Sequence, residues 1–116
     1  MSRLDVTTVD GVTVATVNQA RMTLDDDIHS LSRELKLQLS RSESRKILLN
    51  LEHVVVMASM MIGELVMLKK HFEANDSLLR LCGLSPTVVE SLQISGICDL
   101  FEIDNTEEVG LANFRS

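Results

Sequence analysis

The chain has 116 residues, a net charge of −6 at neutral pH, and neither tryptophan nor tyrosine. This length predicts one domain over residues 1–116 with enough chain to bury a hydrophobic core. The acidic charge, without any cluster of Lys or Arg, argues against nucleic acid or an anionic membrane as the partner. No apolar run reaches the roughly 18 residues of a spanning helix, and the polar N-terminus lacks a signal-peptide pattern, so we expect a cytoplasmic protein.

Two β-rich runs, residues 4–9 and 12–17, lie on either side of Asp10-Gly11. Asp-Gly suits the positive φ angles of a type I′ turn, so the segment predicts a β-hairpin. Residues 18–22 are expected to form a connecting loop.

Thr23 opens the first predicted helix, whose first turn contains Asp25, Asp26 and Asp27. Carboxylates there face the positive end of the helix dipole, which favours a capping role over a metal or phosphoaspartate site. The apolar residues that follow have the spacing of one core-facing stripe: Leu24, Ile28, Leu31, Leu35 and Leu39. The polar run of residues 40–45 is expected to end this helix.

Residues 46–51 are mainly apolar, with Ile47, Leu48 and Leu49 in succession, and predict a strand buried on both faces of a sheet. A helix is predicted over residues 59–74, with a core stripe of Met61, Leu65, Leu68 and Phe72. Gly63 inside this helix predicts a close backbone approach within the fold. Ser59 stands at the helix start, where unpaired N–H groups and a partial positive charge tolerate a side-chain oxygen or a phosphate.

The last third of the chain continues the alternation of strands and helices. Residues 78–82 predict a strand, Ser85-Pro86 a helix start, and Gly96 the end of that helix. Residues 97–103 hold a short edge strand at most, and a short terminal helix starts at residues 105–108. The predicted fold is therefore α/β: a mixed sheet of about four to five strands, an N-terminal hairpin and about four helices.

The sequence shows no catalytic machinery. His29, His53 and His71 lack the spacing of a catalytic or metal-binding set, and no Gly-rich phosphate loop follows a predicted strand. Cys82 and Cys98 lack the spacing of a metal or redox site and are expected to be buried free thiols. We therefore predict no enzyme activity, no catalytic residue, no metal and no cofactor.

Two segments resemble a known family. Residues 54–65 read Val-Val-Val-Met-Ala-Ser-Met-Met-Ile-Gly-Glu-Leu, which is similar to the pattern [VIL]-x-[FVI]-[ILM]-D-S-[SA]-[GA]-[LI]-G-x-L. Residues 96–103 read Gly-Ile-Cys-Asp-Leu-Phe-Glu-Ile, similar to G-[IL]-x-x-[LI]-F-x-I. These patterns are typical of the STAS-domain family of anti-sigma-factor antagonists. The resemblance covers nearly the whole chain and implies a single STAS-like domain.

The resemblance also implies a function. In family members that act as switches, the unphosphorylated domain binds an anti-sigma factor, often itself a serine kinase, and so frees the sigma factor. Phosphorylation of one serine ends that binding, and Ser59 falls on that serine. Ala58 stands where the family pattern has an aspartate, and Met60 and Met61 replace the following pair of small residues.

The implied partner is thus an anti-sigma factor or serine kinase, and the predicted contact residues are Ala58, Ser59, Met60, Ile62 and Met67. Met60 and Met67 lie one heptad apart, outside the core stripe, and could form an exposed apolar patch or be buried by neighbours. Ser59 could instead be a simple helix N-cap. The alternatives to a phosphorylation-dependent antagonist are a non-phosphorylated scaffold subunit of a larger assembly and an enzyme of the receiver or phosphocarrier type. The sequence leaves the oligomeric state open.

Overall fold

A mixed five-stranded sheet lies at the centre of the computed structural model, which describes residues 3–41 and 44–115 apart from the side chains of residues 39 and 41. The strands in chain order are β1 Leu4–Val9, β2 Val12–Val17, β3 Arg21–Met22, β4 Lys46–Asn50, β5 Val56–Met57, β6 Leu78–Cys82 and β7 Glu102–Asp104. The helices are α1 Asp25–Arg41, α2 Ser59–Ala74, α3 Pro86–Ile94 and α4 Glu107–Arg115. The large sheet has the order β1-β2-β4-β6-β7, and β3 pairs with β5 in a separate two-stranded ribbon.

The N-terminal hairpin forms as the Asp-Gly pair predicts. Val9 and Val12 are opposite each other in the antiparallel β1–β2 register, so the loop contains only Asp10 and Gly11. Both loop residues have positive φ, 51° and 79°, as a type I′ turn requires.

β4 is the inner strand that its apolar run predicts, because it pairs in parallel with β2 on one side and β6 on the other. Its side chains alternate between two cores. Ile47 and Leu49 join the large core beneath α1, α2 and α3, whereas Leu48 joins a smaller cluster with Val12, Val14, Cys82 and Phe114. α4 therefore covers the face of the sheet opposite the other three helices.

A polar clamp holds α4 on this second face. Arg80 of β6 donates two hydrogen bonds to the buried Asp104 carboxylate, at 2.8 and 2.9 Å, and Asn113 of α4 donates a third at 2.6 Å. Gly110 lets α4 approach the sheet closely, because a Cβ there would lie 2.7 Å from a methyl of Leu48. The helix is fixed by both polar contacts and close packing.

The boundaries of α3 follow the predicted signals. Ser85 is its N-cap and accepts a hydrogen bond from the Val88 backbone N–H at 3.3 Å, with Pro86 as the first helical residue. Gly96, at φ 72°, follows the C-cap Ser95.

Several local expectations are wrong. Residues 18–22 are not entirely loop, because Arg21 and Met22 form β3. Leu24 does not belong to the core stripe of α1: the helix begins one residue later, and the Leu24 side chain is 65% exposed. Ile28, Leu31 and Leu35 are buried as predicted, and the side chain of Leu39 lies outside the described part.

Gly63 does not mark a close approach inside the fold. It is exposed on α2, and a Cβ added there would meet no atom within 4 Å. The packing role predicted for this glycine is therefore wrong.

Candidate functional site

Ser59 is the first residue of α2, and its side chain is exposed to solvent. The N-cap is Ala58, which has an extended backbone and offers no side-chain cap, so the alternative that Ser59 is the N-cap is wrong. Within the described part of the chain, the Ser59 hydroxyl has no hydrogen-bond partner. The hydroxyl can therefore be modified, or can contact a partner, without the loss of a hydrogen bond within the domain.

The backbone that leads to Ser59 is held in place by the β3–β5 ribbon. Met22 and Met57 are paired in parallel register, and the Ala58 N–H donates to the Met22 carbonyl at 2.9 Å. On the other side, the Ala58 carbonyl accepts from the N–H groups of Met61 and Ile62 at 2.9 and 3.2 Å. Ser59 is thus presented by a defined turn between a strand and a helix.

A buried amide fixes the start of the same connection. Asn50, at the end of β4, is almost fully buried. Its side-chain oxygen, Oδ1, accepts a hydrogen bond from the Glu52 backbone N–H at 2.9 Å. Its Nδ2 donates to the carboxylates of Glu107 at 3.1 Å and Glu52 at 3.4 Å. This amide therefore ties the segment before Ser59 to the first turn of α4. The sequence analysis missed this role, although a lone polar residue at the end of a buried apolar strand is a signal for it.

Exposed apolar side chains follow Ser59 in the chain and lie beyond the ends of the β3–β5 ribbon that leads to it. Met60 is 40% exposed and Val55 is 54% exposed. Leu24 is also exposed and lies two residues after Met22, whose carbonyl accepts the hydrogen bond from the Ala58 N–H. We call Leu24, Val55, Ser59 and Met60 the Ser59 surface. Leu24 and Val55 were absent from the predicted contact set, because Leu24 was assigned to a core and Val55 lies in an apolar run without periodicity.

The predicted contact residues on α2 do not all share one face. Met67 is 58% exposed, but Ile62 is only 6% exposed and packs in the large core with Met61 and Leu65. The helix packs with a wider apolar face than the predicted four-residue stripe, so Ile62 points to the sheet and is unavailable to a partner. Ala58 is half-buried at the rim of the Ser59 surface.

Carboxylates border the Ser59 surface, and the nearby histidine is paired with one. Asp25 and Asp26 are exposed in the first turn of α1, directly after Leu24. The Glu64 carboxylate lies 3.8 Å from Nδ1 of the exposed His29. A partner that covers this surface therefore meets an apolar centre with a mainly acidic border.

Side chains of the metal-ligand type and two cysteine thiols also lie outside the Ser59 surface. Across residues 3–41 and 44–115, no group of three or more His, Cys, Asp or Glu residues could hold a metal ion. Cys82 is buried as expected, and burial with nearby carboxylates raises the pKa of its thiol to about 12. Cys98 is partly exposed, which corrects the expectation that both thiols are buried. None of the described helices has the length and hydropathy to cross a membrane.

Comparison with known proteins gives consistent similarities. Residues 3–110 match the sequence profile described as STAS domain. The chain is 27% identical to BtrV of Bordetella bronchiseptica, which is named an anti-sigma factor antagonist. The alignment covers 98% of this chain and 96% of BtrV.

Solved structures share the fold at lower identity. A Thermotoga maritima protein described as an anti-sigma factor antagonist superposes with a TM-score of 0.84 at 18% identity, over 97% of this chain and 95% of that one. The Bacillus cell fate determinant SpoIIAA, in its phosphorylated form, superposes with a TM-score of 0.70 at 18% identity, over 97% of this chain and 99% of that one.

Proposed function

The chain belongs to the STAS domain family, and we propose that it acts as an anti-sigma factor antagonist, a regulatory module that binds an anti-sigma factor. We further propose that the anti-sigma factor is a serine kinase and that phosphorylation of Ser59 ends the binding. The chain is then a substrate of the kinase and supplies no catalytic group itself.

The observation that carries this proposal is the position of Ser59. Its hydroxyl is exposed at the first residue of α2, without an internal hydrogen bond and directly beside the exposed Met60. A kinase can reach the hydroxyl, and a partner that contacts Met60 must also cover Ser59. One residue can therefore be both the modified group and part of the contact surface.

The physical effect of phosphate at this position differs between the free and the bound states. A phosphoserine carries a charge of about −1.5 to −2 at neutral pH. In the free domain this charge is tolerated, because Ser59 lies at the positive end of the α2 dipole and is exposed to water. In the complex it would lie in an apolar contact beside Met60, and a charge that is buried without a partner is costly. Phosphorylation therefore weakens the complex without unfolding the domain.

Ala58 favours a second candidate function. Family members that act as switches have an aspartate at this position, and Ala58 offers neither a carboxylate nor a side-chain cap to the kinase-facing turn. A scaffold subunit that binds partners through the same surface but is never phosphorylated would need no such carboxylate. The two candidates differ only in the fate of Ser59.

Calorimetric titration of a purified anti-sigma factor kinase from the source organism separates them. We expect the wild type and Ser59→Ala to bind alike and Ser59→Asp to bind at least about tenfold more weakly. After incubation with ATP, the wild type should carry one phosphate on Ser59 and lose binding, whereas Ser59→Ala should keep it.

Gln93→Glu is the matched control, because it adds one negative charge at an exposed position near the C-terminal end of α3 that is not one of the residues of the Ser59 surface. It should bind like the wild type. Binding by the wild type without any phosphate uptake on Ser59 would replace the switch by the scaffold function, whatever the affinity of Ser59→Asp. If no anti-sigma factor binds the wild type, the antagonist proposal itself fails.

A further inference from the structure

The solvent-facing side of α2 carries a mainly apolar seam whose side chains are exposed rather than packed in the core. Five residues recur there at a heptad spacing and are all exposed: Met60, Gly63, Met67, Lys70 and Ala74. We call these five residues the α2 seam. Heptad spacing is the pattern by which one helix packs lengthwise on another.

Gly63 is the residue of the seam that most needs an explanation. Glycine is a poor helix former, yet nothing in the described chain lies within 4 Å of the Cβ that Ala would have here. The space above Gly63 is open, and Met60 and Met67 stand on either side of it. This shape is a notch in which the backbone of another helix can lie close to α2.

The seam is also symmetric about its notch. Met60 lies three residues before Gly63, and Met67 lies four residues after it. If a second α2 crosses antiparallel at Gly63, Met60 of each copy faces Met67 of the other. A self-complementary patch of this kind is what a two-fold dimer interface requires.

The charges at the two ends of α2 favour the same antiparallel arrangement. β3 and β5 are parallel, so α1 and α2 begin at the same end of that ribbon, and the exposed carboxylates of Asp25 and Asp26 lie near the N-terminal end of α2. Near its C-terminal end, Lys70 is exposed, Lys36 and Arg45 line a cleft beside His71 and Asn75, and Lys69 is paired with Glu73 at 2.6 Å. With the exposed Asp76 included, these side chains carry four positive and two negative charges, so this end is basic. An antiparallel pair brings the basic end of each copy to the acidic end of the other, whereas a parallel pair brings like charges together.

We propose that a second copy of this chain docks on the α2 seam, with the two α2 helices antiparallel and crossing at Gly63. The dimer covers Met60 and Met67, so it excludes any partner that contacts those side chains. Self-association therefore competes with the anti-sigma factor for one surface. The dimer is inferred from the seam and the charges at the ends of α2 and stands whether or not the proposed function is correct, whereas the competition rests on that function.

Sedimentation equilibrium of the full chain tests the dimer directly. We expect reversible association of the 12.9 kDa monomer with a dissociation constant on the order of 100 µM, as suits a small interface. The association should weaken as salt is raised from 0.05 to about 0.5 M, because opposite charges meet at both ends. A chain that remains monomeric up to about 1 mM would overturn the proposal.

Gly63→Gln separates the interface from the fold. Because Gln forms helices better than Gly and meets open space here, the thermal midpoint should rise, by roughly 4 °C. The same side chain fills the notch, so dimer formation should weaken by at least about tenfold. Glu90→Gln, which places the same side chain at an exposed position of α3, should leave the association constant unchanged. Equal association of Gly63→Gln and the wild type would contradict the seam as the interface.

Disulfide trapping tests the antiparallel arrangement. In a Cys98→Ser background, Met60→Cys and Met67→Cys variants with different mass tags are mixed and oxidised gently. We expect the mixed Met60→Cys/Met67→Cys disulfide to dominate. A majority of disulfides between two Met60→Cys chains would instead indicate a parallel pair and overturn the proposed geometry.

Discussion

Asp104→Asn should be among the most damaging single substitutions outside the apolar core. The Asp104 side chain is 3% exposed and accepts two hydrogen bonds from Arg80 and one from Asn113, so it joins β6, β7 and α4. Asparagine keeps the shape but brings an NH₂ donor against the Arg80 donors and removes the carboxylate to which the guanidinium is hydrogen-bonded. Breaking a buried ion pair by removing one partner costs about 3–5 kcal/mol.

Partial hydration of Arg80 places the expected loss at the lower end of that range. Its side chain is 20% exposed, so water can satisfy part of the guanidinium, and we take about 3 kcal/mol. For a chain of 116 residues the unfolding entropy is about 0.24 kcal/mol/K, so the thermal midpoint should fall by roughly 12 °C. Calorimetry at neutral pH measures this fall, with Glu90→Gln as an exposed carboxylate control that should change the unfolding free energy by less than about 0.5 kcal/mol.

The same substitution should change the pH dependence of stability. The hydrogen bonds from Arg80 lower the pKa of Asp104 below its ordinary value of 3.8. The ionised carboxylate therefore contributes stability above pH 3.8 that is lost as the pH falls through the lowered pKa. The difference between wild type and Asp104→Asn should be constant near neutral pH and shrink below about pH 4. A loss below about 1 kcal/mol at neutral pH, or a difference that does not shrink in acid, would refute the clamp.

Three other results are expected. Leu65→Ala should lower the unfolding free energy by about 2–5 kcal/mol because the side chain is fully buried, whereas Met67→Ala should lower it by less than about 1 kcal/mol because that side chain is exposed. Chemical denaturation measures both losses, and equal large losses would mean that α2 is buried all round. The amides of Lys46–Asn50 should be among the slowest in hydrogen exchange because β4 has a neighbour on each side, and fast exchange there would contradict the sheet order. At pH 8, iodoacetamide should alkylate Cys98 long before Cys82, whose pKa is about 12, and comparable rates would show that α4 opens readily.

The elements that the sequence predicts correctly carry their signals locally. Asp10-Gly11 specifies a hairpin turn, the run at 46–51 specifies an inner strand, and Ser85-Pro86 specifies a helix start. Each signal needs only a few neighbouring residues, so no knowledge of the rest of the fold is required.

The features that the sequence analysis missed depend on distant pairings. β3 is two residues long and has no periodicity of its own; it exists because Arg21 and Met22 pair with residues 35 positions away. The clamp at Asp104 likewise joins residues from three separate elements. Leu24 was misplaced because the stripe of α1 was extended one position beyond the actual helix start.

For the site, the sequence and the family resemblance locate Ser59, but only the structure shows how α2 is rotated. The predicted core stripe of α2 left Met60, Ile62 and Met67 outside the core. In the structure Ile62 packs in the core beside Met61 and Leu65, so the buried face of α2 is wider than that stripe. The notch at Gly63 could not be foreseen either, because a helical glycine gives the same sequence signal whether its neighbour is inside or outside the chain.

Release of a sigma factor tests the antagonist claim most directly. A fluorescently labelled sigma factor bound to its anti-sigma factor kinase is titrated with this chain in the absence of ATP, and anisotropy reports the free sigma factor. We expect the wild type and Ser59→Ala to release the sigma factor at similar concentrations. With ATP present, release by the wild type should be lost with time and release by Ser59→Ala should persist. If neither protein displaces any sigma factor from an anti-sigma factor of the source organism, the chain is not an antagonist.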